Sequence, residues 1–217
     1  SFQYSVLPET FFKGIYRLPP AHYMLYENGK MTVSFKPYAY PEDAKSTVHL
    51  SSMTEKAFEI NAADCKTDAD GKVTAHVIEV IPGKTGTFDR TVKLPTENGK
   101  VLADPENDVL KAAVFERHHE TGTAGKGFVK GFGIKNGALA QTVAHDAHNL
   151  FVVGSNDEDM KVAVNALIEC GGGLCAVRDG KVLAIVPLPV AGLMSEEPIE
   201  KMSSDVAKLE NAWNEMG

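Results

Sequence analysis

Asn-Gly and Asp-Gly pairs punctuate this chain, among them those at residues 28–29, 70–71, 98–99 and 179–180. The tightest β-hairpin turns need positive φ at their central residues. Asn, Asp and Gly tolerate that conformation, and most other side chains do not. Such pairs between β-type runs therefore favour hairpins and antiparallel strands. Tyr23 to Tyr26 and Met31 to Val33 flank Glu27-Asn28-Gly29-Lys30, which predicts a first hairpin. Leu174 to Val177 and Val182 to Val186 flank Asp179-Gly180, which predicts a last one. Between them Val73 to Val80 alternates apolar and polar residues, and Thr87 to Leu94 is the next candidate strand. Val109 to Glu116 is an apolar run that suits a buried strand or a short helix and is read as a strand; Ala138 to Ala144 and Leu150 to Gly154 also read as strands. Six glycines fall between Gly122 and Gly137, which suggests tight turns around a short strand at Phe128 to Phe132. Residues 37–54 read as an extended linker.

Helix signals occur twice. Ser155-Asn156 precedes Asp157-Glu158-Asp159, with Ser155 and Glu158 at capping-box spacing and carboxylates at the positive end of the dipole. Met160, Val164, Leu167 and Ile168 then form a helical stripe that ends at Gly171. Pro198 to Met216 is a second amphipathic stretch and carries the only tryptophan, Trp213. The expected fold is α+β: a mostly antiparallel sheet flanked by helices, behind an N-terminal hairpin segment. The expected division is residues 1–36 for that segment and 37–217 for the main domain.

Composition narrows the partners. Lys and Arg number 22 against 29 Asp and Glu, a net charge of −7 with no basic block, which argues against nucleic acid. The longest apolar stretch, Leu183 to Met194, is short and holds Pro187 and Pro189, so no membrane helix is expected. No charged n-region with an apolar h-region opens the chain. Cys65, Cys170 and Cys175 are odd in number and lack a CxxC, which suits a reducing cytoplasm. They read as small core residues rather than nucleophiles.

The best candidate for chemistry is a pair of histidine clusters, Glu116-Arg117-His118-His119-Glu120 and His145-Asp146-Ala147-His148-Asn149. The candidate residues are Glu116, His118, His119, His145, Asp146 and His148. Imidazoles beside carboxylates can bind a divalent metal or polarise a substrate. The competing account is a polar cluster that satisfies strand ends. His-x-x-His lacks the i, i+4 geometry of a zinc-protease helix, and no HExxH occurs. The two segments follow strands expected to be neighbours. Gly125-Lys126-Gly127 running to Gly131 is neither a dinucleotide fingerprint nor a phosphate loop, and reads as a turn. Gly171-Gly172-Gly173 reads as a helix C-cap, with room for a close backbone approach. The Pro-rich run from Pro187 to Met194 is either a docking arm or a loop covering the core.

Over about residues 26–217 the chain resembles the C-terminal domain of bacterial adenine deaminases of the amidohydrolase superfamily. The motifs that carry this are Ser46-Thr47-Val48-His49-Leu50, Ala103-Asp104-Pro105, Glu116-Arg117-His118-His119, and Gly127-Phe128-Val129-Lys130-Gly131-Phe132-Gly133. They continue with Val143-Ala144-His145-Asp146-Ala147-His148-Asn149, Gly154-Ser155-Asn156-Asp157-Glu158-Asp159-Met160, Gly171-Gly172-Gly173, and Leu188-Pro189-Val190-Ala191-Gly192-Leu193-Met194-Ser195. Residues 1–30 resemble a different family, the glutamine-hydrolysing asparagine synthetases, through Phe2-Gln3-Tyr4-Ser5, Thr10-Phe11-Phe12-Lys13-Gly14-Ile15 and Leu18-Pro19-Pro20-Ala21-His22-Tyr23. The chain therefore reads as chimeric, joined near Tyr26 to Met31.

The deaminase resemblance implies conversion of adenine and water to hypoxanthine and ammonia, within purine metabolism. In that family a binuclear Mn, Fe or Zn site in a (β/α)₈ barrel activates water. The barrel's HxH ligand motif does not occur here. The reading is an accessory domain whose partner is the missing barrel, with no cofactor of its own and no activity alone. Two alternatives stay open: an oligomerisation or binding module that forms a homo-oligomer, or a small independent metal-dependent hydrolase built on His118, His119, His145 and His148.

Overall fold

The computed structural model describes residues 22–35, 48–63, 65–119 and 121–217. The chain divides into two compact units, 1–42 and 43–217. In the first, β1 (His22–Glu27) and β2 (Lys30–Phe35) pair antiparallel, Glu27 opposite Lys30. Asn28 and Gly29 both take positive φ (51° and 76°), as the turn requires. The synthetase-like motifs at residues 2–21 lie outside the described residues.

The second unit is α+β and is built on one nine-stranded sheet. Its strands are β3 (Lys72–Val80), β4 (Thr87–Glu97), β5 (Lys100–Val101), β6 (Val109–Phe115), β7 (Ala124–Lys130), β8 (Ala138–Gln141), β9 (Leu150–Gly154), β10 (Gly173–Arg178) and β11 (Lys181–Pro187). The order across the sheet is β11-β10-β8-β9-β6-β7-β3-β4-β5. All neighbours are antiparallel except β3 and β7, which run parallel through Val77, Ile78 and Glu79 opposite Phe128, Val129 and Lys130. Strand β6 is central and nearly continuous in apolar residues, because both of its faces are largely covered.

The turn chemistry mostly acts as the sequence suggests. Asn98-Gly99 and Asp179-Gly180 take positive φ at both residues. Asp70-Gly71 does so only at Gly71; here the Asp68 carboxylate accepts the amides of Asp70 and Lys72 and sets the turn into β3. Two strands differ from expectation. The glycine-rich strand spans Ala124–Lys130 rather than residues 128–132, so Gly125 and Gly127 are strand positions, not turns. Strand β8 ends at Gln141, and the chain then loops to Asn149.

Helix α1 (Asp157–Cys170) lies on one face of the sheet. Its N-cap is Asn156, one residue beyond the expected Ser155, and the Asn156 side chain accepts the Asp159 amide at 2.8 Å. Buried Asp159 also accepts the Gly180 amide (2.7 Å), which ties the helix start to the last hairpin. Gly171, with φ of 82°, ends the helix as a left-handed cap. Met160, Val164 and Leu167 pack on Ala113, Phe115, Leu150, Val152, Cys175 and Val177. Residues 48–63, including Phe58, Ile60 and Ala62, extend this cover over β3, β4 and β5.

Helix α2 (Ile199–Met216) covers the opposite face, with Ala212 and Met216 against Leu110, Ile134, Val153, Ala176 and Ala184. Period-two alternation separates the faces: Ala113 and Phe115 look one way, Leu110 the other. The Met216 carbonyl accepts the amides of Lys135 and Asn136, and the Trp213 indole donates to the Phe132 carbonyl at 3.1 Å. Among the described residues no helix is long and apolar enough to cross a membrane.

Lys111 is a charge in the middle of this sheet. Its side chain is 4% exposed, and its Nζ meets both Asp157 carboxylate oxygens at 2.7 and 2.9 Å, in the first turn of α1. Removing Asp157 leaves that ammonium buried without its counter-ion. Asp157→Ala is expected to cost about 3 kcal/mol in urea unfolding. Replacing both partners, Lys111→Met with Asp157→Leu, is expected to recover most of that loss.

Candidate functional site

The two histidine segments meet at one end of the sheet although their strands are not adjacent. Strand β9 lies between β8 and β6, which corrects the expectation of neighbouring strands. The second segment is instead the loop that feeds β9, and Leu150 pairs with Phe115 just before Glu116. His118 and the 142–149 loop are thereby brought together, and the His118 ring nitrogen Nε2 lies 2.9 Å from the Ala147 carbonyl.

Glu116 organises the first segment. Its carboxylate accepts the backbone amides of His118, His119 and Thr121 and the Thr121 hydroxyl. Partial burial pushes the carboxyl pKa up, but these donors outweigh it and hold the group at about 2. His119 Nδ1 also sits 3.4 Å from Glu116. In the second segment His145 and His148 stack edge to face, with ring centroids 5.0 Å apart. His148 takes a positive φ of 50°, and its amide donates to the Ala144 carbonyl. The His148 Nδ1 and Asn149 Oδ1 atoms are buried and have no hydrogen-bond partner among the described residues. Asp146 is exposed and takes no part in these bonds. Glu120 lies outside the described residues.

Beneath the histidines lies a residue that the motif reading passed over. Arg117 is 1% exposed. Its Nε donates to the His148 carbonyl and its Nη2 to the Ala191 carbonyl (3.0 Å), while its own carbonyl accepts the His49 amide. Burial lowers the guanidinium pKa, but a guanidinium stays charged at any working pH. The Pro-rich run closes over it. Leu188 and Val190 are buried, and Val190-Ala191-Gly192-Leu193 forms a tight turn with positive φ at Ala191 and Gly192. Of the two sequence readings, covering the core is what this run does.

Thr142, fully buried, joins that turn to the glycine triplet. Its hydroxyl donates to the Gly192 carbonyl (2.6 Å) and accepts the Gly173 amide (2.8 Å). A methyl group on Gly172 would lie 2.7 Å from the Gly192 Cα, so two backbones touch there. Only the glycine triplet signalled this close approach in the sequence.

The cysteines stand apart from this assembly. Cys175 is buried, and burial pushes its thiol up to about 12. Cys170 is raised by burial as well. Cys65 is exposed, which corrects its assignment to the core. Among the described residues no group of three His, Cys, Asp or Glu side chains is placed to hold a metal ion.

A methyl group on Gly192 would fall 2.8 Å from an Arg117 nitrogen, at a φ of 67°. Gly192→Ala is expected to destabilise the chain by about 1–3 kcal/mol in thermal or chemical unfolding. The Glu116 turn provides a pH test. A carboxylate held at about 2 against an unfolded value of 4.5 adds stability that is present above pH 4.5 and lost as pH falls through about 2. The His118 and Thr121 amide resonances should keep their native shifts through pH 4 and titrate only near the lower value. Glu116→Gln should abolish that titration.

Comparison with known proteins places this assembly. The family model described as the adenine deaminase C-terminal domain matches residues 84–217, well over half of the chain. An adenine deaminase of Clostridium botulinum is 58% identical over 192 residues, 88% of this chain and 31% of that protein. Those of Moorella thermoacetica and Staphylothermus marinus are 47% and 42% identical, over 87% and 88% of this chain and again 31% of each relative. The chain thus spans about a third of the length of the curated relatives it matches. Arg117, Thr142, both histidine segments, the glycine triplet and the turn at Ala191-Gly192 all lie inside the matched region, and the chain belongs to the adenine deaminase C-terminal domain family.

Proposed function

We propose that this chain is the accessory part of an adenine deaminase and does not carry out the chemistry alone. The observation behind this is the extent of the match: high identity along most of the chain, but 31% of the relatives' length. In the reaction named by those relatives, water displaces an amino group from a purine. A metal-bound hydroxide would supply the nucleophile, and such a group belongs to the portion of the relatives that lies outside the match. The residues gathered here fit a supporting role. Arg117, Glu116 and Thr142 fix loops rather than present reactive atoms.

Within that reading the histidine end faces the catalytic portion. His148 Nδ1 and Asn149 Oδ1 are buried polar atoms without a partner among the described residues, and such atoms call for one. Imidazole and amide groups from this loop would then help close the purine site or order its water. The chain divides functionally near residue 36, with the hairpin segment taking no part. Assembly into a homo-oligomer is the second reading, for which solution mass is the measurement.

The purified chain, incubated with adenine and Mn²⁺, Fe²⁺ or Zn²⁺, is expected to form no hypoxanthine above the no-protein control. Turnover that persists through purification and disappears in His145→Ala would overturn the accessory reading.

A further inference from the structure

The two faces of the large sheet are covered unequally. On the α1 side, helix α1 and residues 48–63 span it from β10 to β5. On the other side α2 covers β11, β10, β8 and β9, and the apolar cluster beneath it reaches β6 at Leu110 and β7 at Val129. Among the described residues no helix covers the rest of that side, from the Val114 end of β6 across β7 and β3 to β4. Ala112, Val114, Gly125, Gly127, Val129 and Ile78 share this face by register, since Ala112 pairs with Gly127, Val114 with Gly125 and Ile78 with Val129. Ile78 is 56% exposed and Val114 38%. The two glycines have no atom within 4 Å of where a Cβ would stand. The floor is therefore low and apolar, forming a trough of about 530 Å³ with His76 paired to Asp89 at its margin. Phe151 joins it to a smaller hollow of about 110 Å³ beside Trp213, itself 42% exposed.

We propose that this trough is the seat of the catalytic portion of the relatives' polypeptide. The proposal rests on the accessory reading above and adds the surface that does the docking. Three observations select that occupant. About two thirds of the relatives' length lies outside this match, so a large covalently linked partner is available. An apolar floor with charges only at the margin has the character of a permanent interface rather than a transient one. A second copy would instead set one net charge of −7 against another. The histidine end adjoins the trough, because the Val114–Phe151 pair on its floor is next to the Phe115–Leu150 pair that leads into Glu116. A body seated in the trough would border that loop.

The test is maleimide labelling at Ile78→Cys and Val114→Cys, each in a Cys65→Ser background of the 217-residue chain. The same labelling is done on cysteines at the aligned positions of the full-length Clostridium botulinum adenine deaminase, with peptide mass spectrometry as the readout. Labelling at both positions is expected to be at least tenfold slower in the full-length protein than in this chain. Equal rates would overturn the proposal and leave the accessory reading untouched. Hypoxanthine formation by the chain alone would overturn the accessory reading without changing these rates. Sedimentation supplies the remaining outcome: a concentration-dependent dimer of the 217-residue chain, abolished by Val114→Glu, would assign the trough to a second copy and overturn the proposal.

Discussion

A buried guanidinium must find hydrogen-bond acceptors or destabilise whatever encloses it. Arg117 finds them in backbone carbonyls from separate loops, His148 before β9 and Ala191 after β11, while its own carbonyl receives His49. These segments are distant in sequence and gain little from local propensity. Their arrangement follows from the acceptor geometry that a planar fork imposes. The glycines around it serve the same end. Gly192 lets a turn lie against the guanidinium, Gly172 lets a second backbone lie against that turn, and Thr142 bonds both. The family's most recognisable motifs in this chain are largely the parts of this one polar knot.

Much of the architecture is legible in the sequence because it is local. Asn28-Gly29 and Asp179-Gly180 specify hairpins through the positive φ that both residues of each pair adopt. The α1 stripe and its Gly171 stop are equally self-contained. The family resemblance is carried by long ordered motifs, and the match over residues 84–217 agrees with it. What fails is what depends on distant partners. Nothing between Gly137 and Gly154 announces that β9 inserts between β8 and β6, because strand order is decided by packing across the whole sheet. The glycines at 125 and 127 look like turns when taken singly. Their strand conformation follows from pairing with Val114 and Ala112.

The candidate site shows the same division. The sequence singles out His118, His119, His145 and His148 because histidines are conspicuous, and the fold does gather them at one sheet end. It gives no such prominence to Arg117, since an arginine in a charged run is usually solvated. The informative signal was indirect: a glycine triplet implies that something comes close. The cap at Asn156 rather than Ser155 is a smaller instance, where two adjacent residues are both competent and tertiary contacts choose between them.

The parallel pairing of β3 with β7 divides the sheet into two antiparallel blocks. The hairpins β3–β4 and β6–β7 on either side join neighbouring stretches of chain, whereas the seam between them joins Val77 to Phe128 and is short. This seam has fewer ladder bonds than the hairpins on either side, and the buried cluster of Val73, Val77 and Leu94 with Val109 and Phe128 bridges it. The trough lies directly across it, with Ile78 on one bank and Gly127 on the other. Whatever fills the trough therefore binds only the joined form of the two blocks. By linkage it stabilises the seam as strongly as it binds. The β3–β4–β5 block is thus the part of this chain whose local unfolding equilibrium reports directly on occupancy of the opposite face.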